Sequence, residues 1–300
     1  MKQIHEAGIQ AVVVPFWATK LEVDALHPHN AMYKNGQRHI DQRIFKLLHH
    51  ALKNKVQVLF QLMDHRSRTI QHIQSRSKYL RDRYARHEAV YKDQDGKIVI
   101  FIERSDKIVI RDWQDCWRSD EDAARSIRYV GTWKSDGGLH ATQSRLDGVY
   151  VENHGSASSL SAASNGISWS HEITSRISVL KISPGKNEIK IRPWTKKEVI
   201  NRGENGSTYE ESWRNAMLLE PDSVLIVSFN DWCRSTQVRN IHLFLVYDTT
   251  FNRCFFNIVY CLFFLNNISQ IEPAHWSPAG DVLCAGSSTG TCDRSGMCSE

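Results

Sequence analysis

The chain has 300 residues and a formal net charge of +5, and 41% of its residues are hydrophobic and 24% are charged. This composition excludes a disordered chain, and the length suits one large domain of the size that α/β barrels use. The mild positive charge does not demand an acidic partner, and we expect no binding to nucleic acid.

The N-terminal segment, MKQIHEAGIQAVVVPFW, is not a signal peptide, because its apolar run is short and an acid comes early. The longest apolar run near the other end covers 254–265, about 12 residues. A membrane-spanning helix needs about 20 residues. We therefore expect no transmembrane segment within this sequence.

Six short runs of β-branched and apolar residues predict strands, at 9–17, 56–62, 97–102, 146–152, 176–183 and 223–229. Their apolar residues are continuous rather than alternating, which is typical of strands buried on both faces of a parallel sheet. Apolar residues at helical spacing predict amphipathic helices over 39–55 and 69–87. This alternation indicates βα units, in a barrel or in a doubly wound sheet. No G-x-G-x-x-G follows a strand, which disfavours a dinucleotide fold.

Two regions differ in character. We predict a barrel domain over 1–238 and a divergent C-terminal segment over 239–300, whose Gly/Ser/Thr/Cys-rich tail is expected to be disordered from about residue 276.

Polar and aromatic residues follow the predicted strands: Trp17, Met63-Asp64-His65, Glu103, Glu152-Asn153-His154, Ser183-Pro184-Gly185 and Asn230-Asp231-Trp232. In an α/β barrel the reactive residues lie at these strand ends. Acids beside aromatic walls suit a glycoside hydrolase, which uses two carboxyl groups in different environments. Strand ends are polar in any barrel, so the pattern alone does not fix the function. The paired histidines His27/His29 and His49/His50 fit solvated positions better than a metal site, and no metal is predicted.

One stretch carries a resemblance. SFNDWCRSTQV at 228–238 resembles the S-F-N-E-W-H-E-G-T-Q segment of the glycoprotein endo-α-1,2-mannosidase family. Other pieces agree in order and spacing. LDGVYVENHG at 146–155 is similar to F-D-G-I-Y, and SPGKNEIKIRPWT at 183–195 to G-P-G…I-R-P-W. INRGENGSTYEESW at 200–213 also follows the family, and VQVLFQLMDH at 56–65 stands where the family has a strand ending H-I-E-P-Y. The matches run over roughly residues 1–238.

The resemblance implies an α/β fold, a (β/α)8 TIM-type barrel that is incomplete at both ends, because the sequence starts after the family's first strand and lacks its closing helix after Gln237. It implies retaining cleavage of α-1,2-mannosidic bonds in N-glycan arms through the neighbouring 2-hydroxyl, with no cofactor and no metal. The partner would be a mannose-containing N-glycan or oligosaccharide. The resemblance also implies a place in the Golgi lumen or membrane, with a possible membrane anchor upstream of the present chain.

The sequence departs from the family at its acids. The family's base falls on Asp231 and its acid on Arg234, which cannot be a general acid because a guanidinium keeps its proton. The H-I-E-P-Y glutamate falls on Met63, and the adjacent Asp64 is expected to point to the opposite side. We therefore expect a glycosidase whose activity is impaired, and whether it is an enzyme at all is left open.

Asp231 is the predicted catalytic residue, and Met63 and Arg234 are degraded catalytic positions. The predicted substrate-binding residues are Trp17, Glu152, Asn153, Arg192, Trp194, Tyr209, Glu210, Asn230 and Trp232. Two alternatives stand beside this reading. One is a non-catalytic glycan-binding protein (a pseudoenzyme) on the same barrel. The other is an inactive, incomplete gene product whose missing strand leaves an unpaired sheet edge.

Overall fold

The structure, a computed structural model, describes residues 1–16, 36–64, 68–119, 126–134, 136, 138–153, 157–173, 175–185, 206–228 and 260–264. Within these residues eight strands form a closed barrel in chain order. The first seven strands pair in parallel, and the eighth is antiparallel to both of its neighbours. The predicted α/β barrel is confirmed, with seven parallel strands in place of the eight of a full (β/α)8 barrel.

The strands are β1 (Ala11–Phe16), β2 (Gln57–Leu62), β3 (Ile98–Ile102), β4 (Ile127–Thr132), β5 (Gly148–Asn153), β6 (Ile177–Ile182), β7 (Ser223–Ile226) and β8 (Tyr260–Phe264). The described helices are α1 (Lys2–Glu6), α2 (Gly36–Lys53), α3 (Ile70–Tyr84), α4 (Ile110–Ser119), α5 (Leu139–Gln143), α6 (Ala157–His171) and α7 (Ser207–Leu219). A 3₁₀ turn, Ser105–Lys107, follows β3.

The strands are buried on both faces, which explains their continuous apolar runs. Successive side chains of a strand point to opposite faces. On β3, Val99 and Phe101 belong to an inner cluster that fills the barrel, whereas Ile98, Ile100 and Ile102 belong to the outer cluster that packs against the helices. The rest of the inner cluster comprises Ala11, Val13, Leu59, Val130, Tyr150, Val179 and Leu225.

Helix α3 shows how the sequence fixes one helix of the outer layer. Thr69 caps its N-terminus, accepting a hydrogen bond from the main-chain N–H of His72 while the His72 ring accepts from the N–H of Thr69. Ile73 and Leu80 lie buried on its inner stripe. The predicted helix over 69–87 is confirmed, and it ends at Tyr84.

All six predicted strands are observed, but β4 was not predicted from the sequence. Its run IRYVGT is interrupted by Arg128 and Gly131. Arg128 is accommodated near the amino end of the barrel by three carboxylates. Its Nε lies 2.7 Å from Asp93 Oδ2, its Nη2 2.5 Å from Asp95 Oδ2 and its Nη1 3.5 Å from Asp147 Oδ1.

Strand β8 closes the barrel from the segment that the sequence analysis set apart as divergent. Its register pairs Ala11 with Leu262 on one side and Ile226 with Cys261 on the other. The edge of β1, which was expected to be unpaired, therefore carries an antiparallel partner. The tail from residue 276, predicted to be disordered, lies outside the described residues.

Candidate functional site

The carboxyl ends of the seven parallel strands open on one face of the barrel, which we call the mouth. Alternation along each strand extends the inner cluster toward this face, because residues two apart share a side. Glu103 follows Phe101, Thr132 follows Val130, and Lys181 follows Val179. The inward positions nearest the mouth are accordingly Met63, Glu103, Thr132, Glu152 and Lys181.

Met63 directly follows β2 and continues its inward-facing positions. Its side chain is buried, with the residue only 4% exposed. Its N–H donates to Phe16 O at 3.0 Å, and its carbonyl accepts from Arg76 Nη1 at 3.3 Å. A thioether carries no charge and transfers no proton. The end of β2 contributes no carboxylate to the lumen at this position.

Asp64, the residue after Met63, is paired with cationic side chains. Its Oδ2 lies 2.5 Å from Lys107 Nζ and 3.8 Å from Arg104 Nη1, and its Oδ1 lies 3.7 Å from Arg68 Nη2. The Arg68 side chain is 2% exposed. Burial lowers the pKa of this guanidinium, although the charge of Asp64 acts in the opposite direction. Asp64 thus serves as the counter-ion of three cations.

Glu103 brings a carboxylate to the mouth from β3. Its Oε2 accepts a hydrogen bond of 2.8 Å from the main-chain N–H of Asp64. Its N–H donates to Leu62 O at 3.0 Å, which continues the β2–β3 ladder beyond the assigned strands. The carboxylate is therefore tied across the ends of two neighbouring strands.

Tyr150 lies below these acids in the lumen. Thr132 Oγ1 donates to the Tyr150 hydroxyl at 3.0 Å, and that hydroxyl donates to Ile102 O at 3.4 Å. Burial raises the pKa of the Tyr150 phenol well above its ordinary value, and Glu103 and Glu152 raise it further, against the influence of Lys181. The phenol is a neutral group at physiological pH.

Glu152 and Lys181 form an ion pair at the mouth, between Glu152 Oε1 and Lys181 Nζ. The two residues are also direct partners in the β5–β6 register. The Glu152 side chain is 48% exposed and that of Lys181 23%. Glu152 thus lies at the mouth with a charged partner, and its assignment to substrate binding stays a prediction.

Tyr209 and Glu210 lie in the first turn of α7, the helix that follows β6. Tyr209 is buried in the outer core and makes an edge contact with the Trp213 ring, with centroids 6.1 Å apart. Glu210 is exposed and lies 3.9 Å from Arg214 Nη2 through its Oε2. Their assignment to substrate binding stays a prediction.

Several predicted site residues fall outside the described part of the chain: Trp17, Arg192, Trp194, Asn230, Asp231, Trp232 and Arg234. Asn153 is described only as the last residue of β5. The roles predicted for all of these residues also stay predictions.

The selection of site residues from the sequence missed Lys181 and Thr132, and it noted Glu103 only as a strand end. The missed signal is the alternation within each strand. Residues two apart on a strand face the same side. Lys181 therefore faces the same side as the inward Val179, although the run around it is apolar.

Neither a metal site nor a membrane span is found among the described residues. They contain no group of three or more His, Cys, Asp or Glu side chains that could hold a metal ion. None of the helices in the described part of the chain has the length and hydropathy needed to cross a bilayer.

Comparison with known proteins identifies the family of this chain. The model of glycosyl hydrolase family 99 matches residues 1–250. The glycoprotein endo-alpha-1,2-mannosidase of Rattus norvegicus is 24% identical over 253 residues, which cover 79% of this chain and 52% of the relative. A glycoprotein endo-alpha-1,2-mannosidase-like protein of Danio rerio is 27% identical over 264 residues, which cover 79% of this chain and 54% of the relative. The chain spans about half the length of the curated relatives it matches.

A solved structure shares the fold. The GH99 endo-alpha-mannosidase from Bacteroides thetaiotaomicron superposes with a TM-score of 0.64 at 22% identity, over 79% of this chain and 67% of that one. At this identity the likeness supports the fold, and the site has to be argued from the residues themselves.

Proposed function

The chain belongs to glycosyl hydrolase family 99, and from this premise we propose that it is a glycoside hydrolase of the endo-α-1,2-mannosidase type whose catalysis is impaired. The proposed ligand is a mannose-containing N-glycan or a related oligosaccharide. The chain provides the barrel scaffold for such a ligand but departs from the family at two acidic positions, Met63 and Arg234.

The observation that carries this proposal is the end of β2. Met63 occupies the inward position with a buried thioether, and the carboxylate of the neighbouring Asp64 is paired with Lys107, Arg68 and Arg104. A carboxylate held by three cations is not available as a proton donor at the mouth. The end of β2 therefore supports a loss of catalytic power. It does not support the alternative in which Asp64, one residue later, replaces the carboxylate that is absent at Met63.

Asp231 is proposed as the remaining base. An aspartate is one methylene shorter than the glutamate it would replace, and a displacement of about 1 Å can cost on the order of a hundredfold in rate. With Arg234 in place of the leaving-group acid, we propose that turnover is slow even where the glycan binds well. We keep the Golgi lumen or membrane as the proposed location, by family resemblance.

The second candidate is a non-catalytic glycan-binding protein on the same barrel. The Glu152–Lys181 ion pair at the mouth and the Thr132–Tyr150 hydrogen bond below it favour this candidate, because they provide fixed polar groups whose charges and protons are already engaged within the protein. An inactive product without a stable barrel is the third, and the pairing of β1 with β8 weighs against it.

The test combines binding with turnover. The chain is titrated with an α-1,2-linked manno-oligosaccharide by calorimetry, and fragment release from a defined N-glycan is followed over long incubations. Binding with slow release supports the impaired enzyme. Binding without release at any enzyme concentration supports the glycan-binding protein, and an absence of binding by a cooperatively folded chain rules out both.

A further inference from the structure

Glu103, at the end of β3, places a carboxylate beside Met63, at the end of β2, which has none. The ladder pairs Leu62 with Ile102, and the next hydrogen bond runs from Glu103 N to Leu62 O at 3.0 Å. Met63 and Glu103 are therefore level with each other on neighbouring strands, which lie about 4.8 Å apart. Both occupy inward positions.

The two oxygens of Glu103 have different environments. Oε2 accepts from the N–H of Asp64, which fixes the direction of the carboxylate toward the end of β2. No described residue donates a hydrogen bond to Oε1, although the buried guanidinium of Arg68 interacts electrostatically with Glu103. The Glu103 carboxylate, which is partly exposed at the mouth, is thus held in place through Oε2. Its Oε1 can accept a hydrogen bond from a ligand.

Asp64 gives this arrangement its rigidity. Lys107, Arg104 and Arg68 surround its side chain, so the backbone of Asp64 is held where its N–H meets Glu103. The same sector of the lumen contains a second acceptor without a donor. Gln61, on the inner face of β2 below Met63, is buried, and its Oε1 has no hydrogen-bond partner among the described residues.

We propose that Glu103 is a substrate-binding residue that accepts a hydrogen bond from a sugar hydroxyl through Oε1, and that it supplies from β3 the carboxylate that β2 lacks at Met63. This inference rests on the proposed function, because it assumes that the mouth receives a polyhydroxylated sugar. A sugar ring brings several hydroxyl donors, and an ionised acceptor makes the stronger kind of hydrogen bond with them.

Glu103→Gln tests the assignment with little change of shape. The amide oxygen can still accept from the N–H of Asp64, and the NH₂ group then occupies the place of Oε1, where it donates instead of accepting. We expect the Kd for an α-1,2-linked manno-oligosaccharide to rise about tenfold or more, as for the loss of a hydrogen bond to a charged group. Asp106→Asn is the matched control, because it removes the same charge from the adjacent turn, and its affinity should equal that of the parent.

Two further measurements separate a hydroxyl contact from a structural effect. One monodeoxy analogue should lack the hydroxyl that Glu103 contacts. The parent should bind that analogue as weakly as Glu103→Gln binds the complete ligand. Glu103→Gln should bind the analogue and the complete ligand with equal affinity. The double variant Met63→Glu, Glu103→Gln should regain affinity, because a carboxylate returns one strand away.

The outcomes are distinct. If the folded parent does not bind the oligosaccharide, the proposed function falls and this assignment falls with it. If the parent binds and Glu103→Gln binds equally well, only the role of Glu103 is refuted. If every deoxy analogue weakens the parent and the variant alike, the hydroxyl contact is refuted, and a failure of Met63→Glu to restore binding refutes the replacement of the β2 carboxylate.

Discussion

Glu152 and Lys181 face each other across the β5–β6 ladder and join their charges at the mouth of the barrel. The pair is partly exposed, so its effect on folding should be small. We expect Lys181→Met to change the free energy of unfolding by less than about 1 kcal/mol, measured by urea denaturation.

The same pair should matter more for the ligand. If Lys181 holds Glu152 in a binding orientation, Lys181→Met and Glu152→Gln should each weaken binding of a manno-oligosaccharide by about three- to tenfold. The double variant should be no weaker than either single variant, because the two residues act as a unit. Fully additive losses in calorimetry would show that they act independently.

The missing acid can be restored by design. Arg234→Glu returns a carboxyl group three residues after Asp231, and general acid catalysis typically contributes 10²–10⁴-fold in rate. We expect endo-mannosidase turnover to rise above that of the parent, with a further and non-additive gain from Asp231→Glu and Met63→Glu. The measurement is fragment release from a defined N-glycan at equal concentrations of folded protein. Arg234→Gln is the control, because it removes the cation without adding an acid. A triple variant that folds, binds glycan and releases nothing would contradict the proposed site.

The barrel interior should determine much of the stability. Leu225 is almost fully buried in the inner cluster, and we expect Leu225→Ala to lower the free energy of unfolding by about 2–5 kcal/mol through the cavity it leaves. Leu218, which is 72% exposed on α7, provides the matched control. Leu218→Ala should change stability by less than about 0.5 kcal/mol. Equal losses in the two variants would contradict the assignment of Leu225 to a packed lumen.

Closure of the barrel by β8 can be tested on the backbone. Leu262 pairs with Ala11 on one side and with Leu225 on the other. Leu262→Pro removes a main-chain N–H in the middle of β8, where proline is poorly tolerated, and should lower the free energy of unfolding by about 1–3 kcal/mol. Amide exchange in β1 should then accelerate, whereas β3 serves as the internal reference. Unchanged protection of β1 in this variant would argue against the β1–β8 pairing.

Tyr150 should make stability depend on alkaline pH. Its pKa in the folded chain is raised by burial above the ordinary value of 10.0, so the folded state keeps a proton that the unfolded state loses. The free energy of unfolding should therefore decline as the pH rises through and above 10, and this contribution is fully present below that value. In Tyr150→Phe the decline should be weaker, as measured by urea denaturation between pH 8 and about 11. An identical pH dependence in the two proteins would refute the shift.

The parallel strands could be predicted because they are buried on both faces and therefore have continuous apolar runs. Among them only β4 was not predicted. Its Arg128 looks like a break in the sequence, and the carboxylates that make it acceptable, such as Asp93 and Asp147, are distant along the chain. Glu103 was visible as a strand end, but its hydrogen bond to the N–H of Asp64 depends on the register of β2 and β3, which no local pattern reveals. Strand β8 was missed because its segment has no clear period and because it pairs antiparallel.

The position of β8 also bears on biogenesis. Strands β1 and β8 are neighbours, yet β8 begins only at Tyr260, long after β7 ends at Ile226. At 5–20 residues per second a ribosome needs about 2 to 7 s to make the connecting stretch. During that interval the nascent sheet presents two exposed edges to the cytosol or to a translocation channel. Chaperones that recognise open β-edges should therefore engage this polypeptide late in translation, and a pause between the codons for β7 and β8 should raise its aggregation.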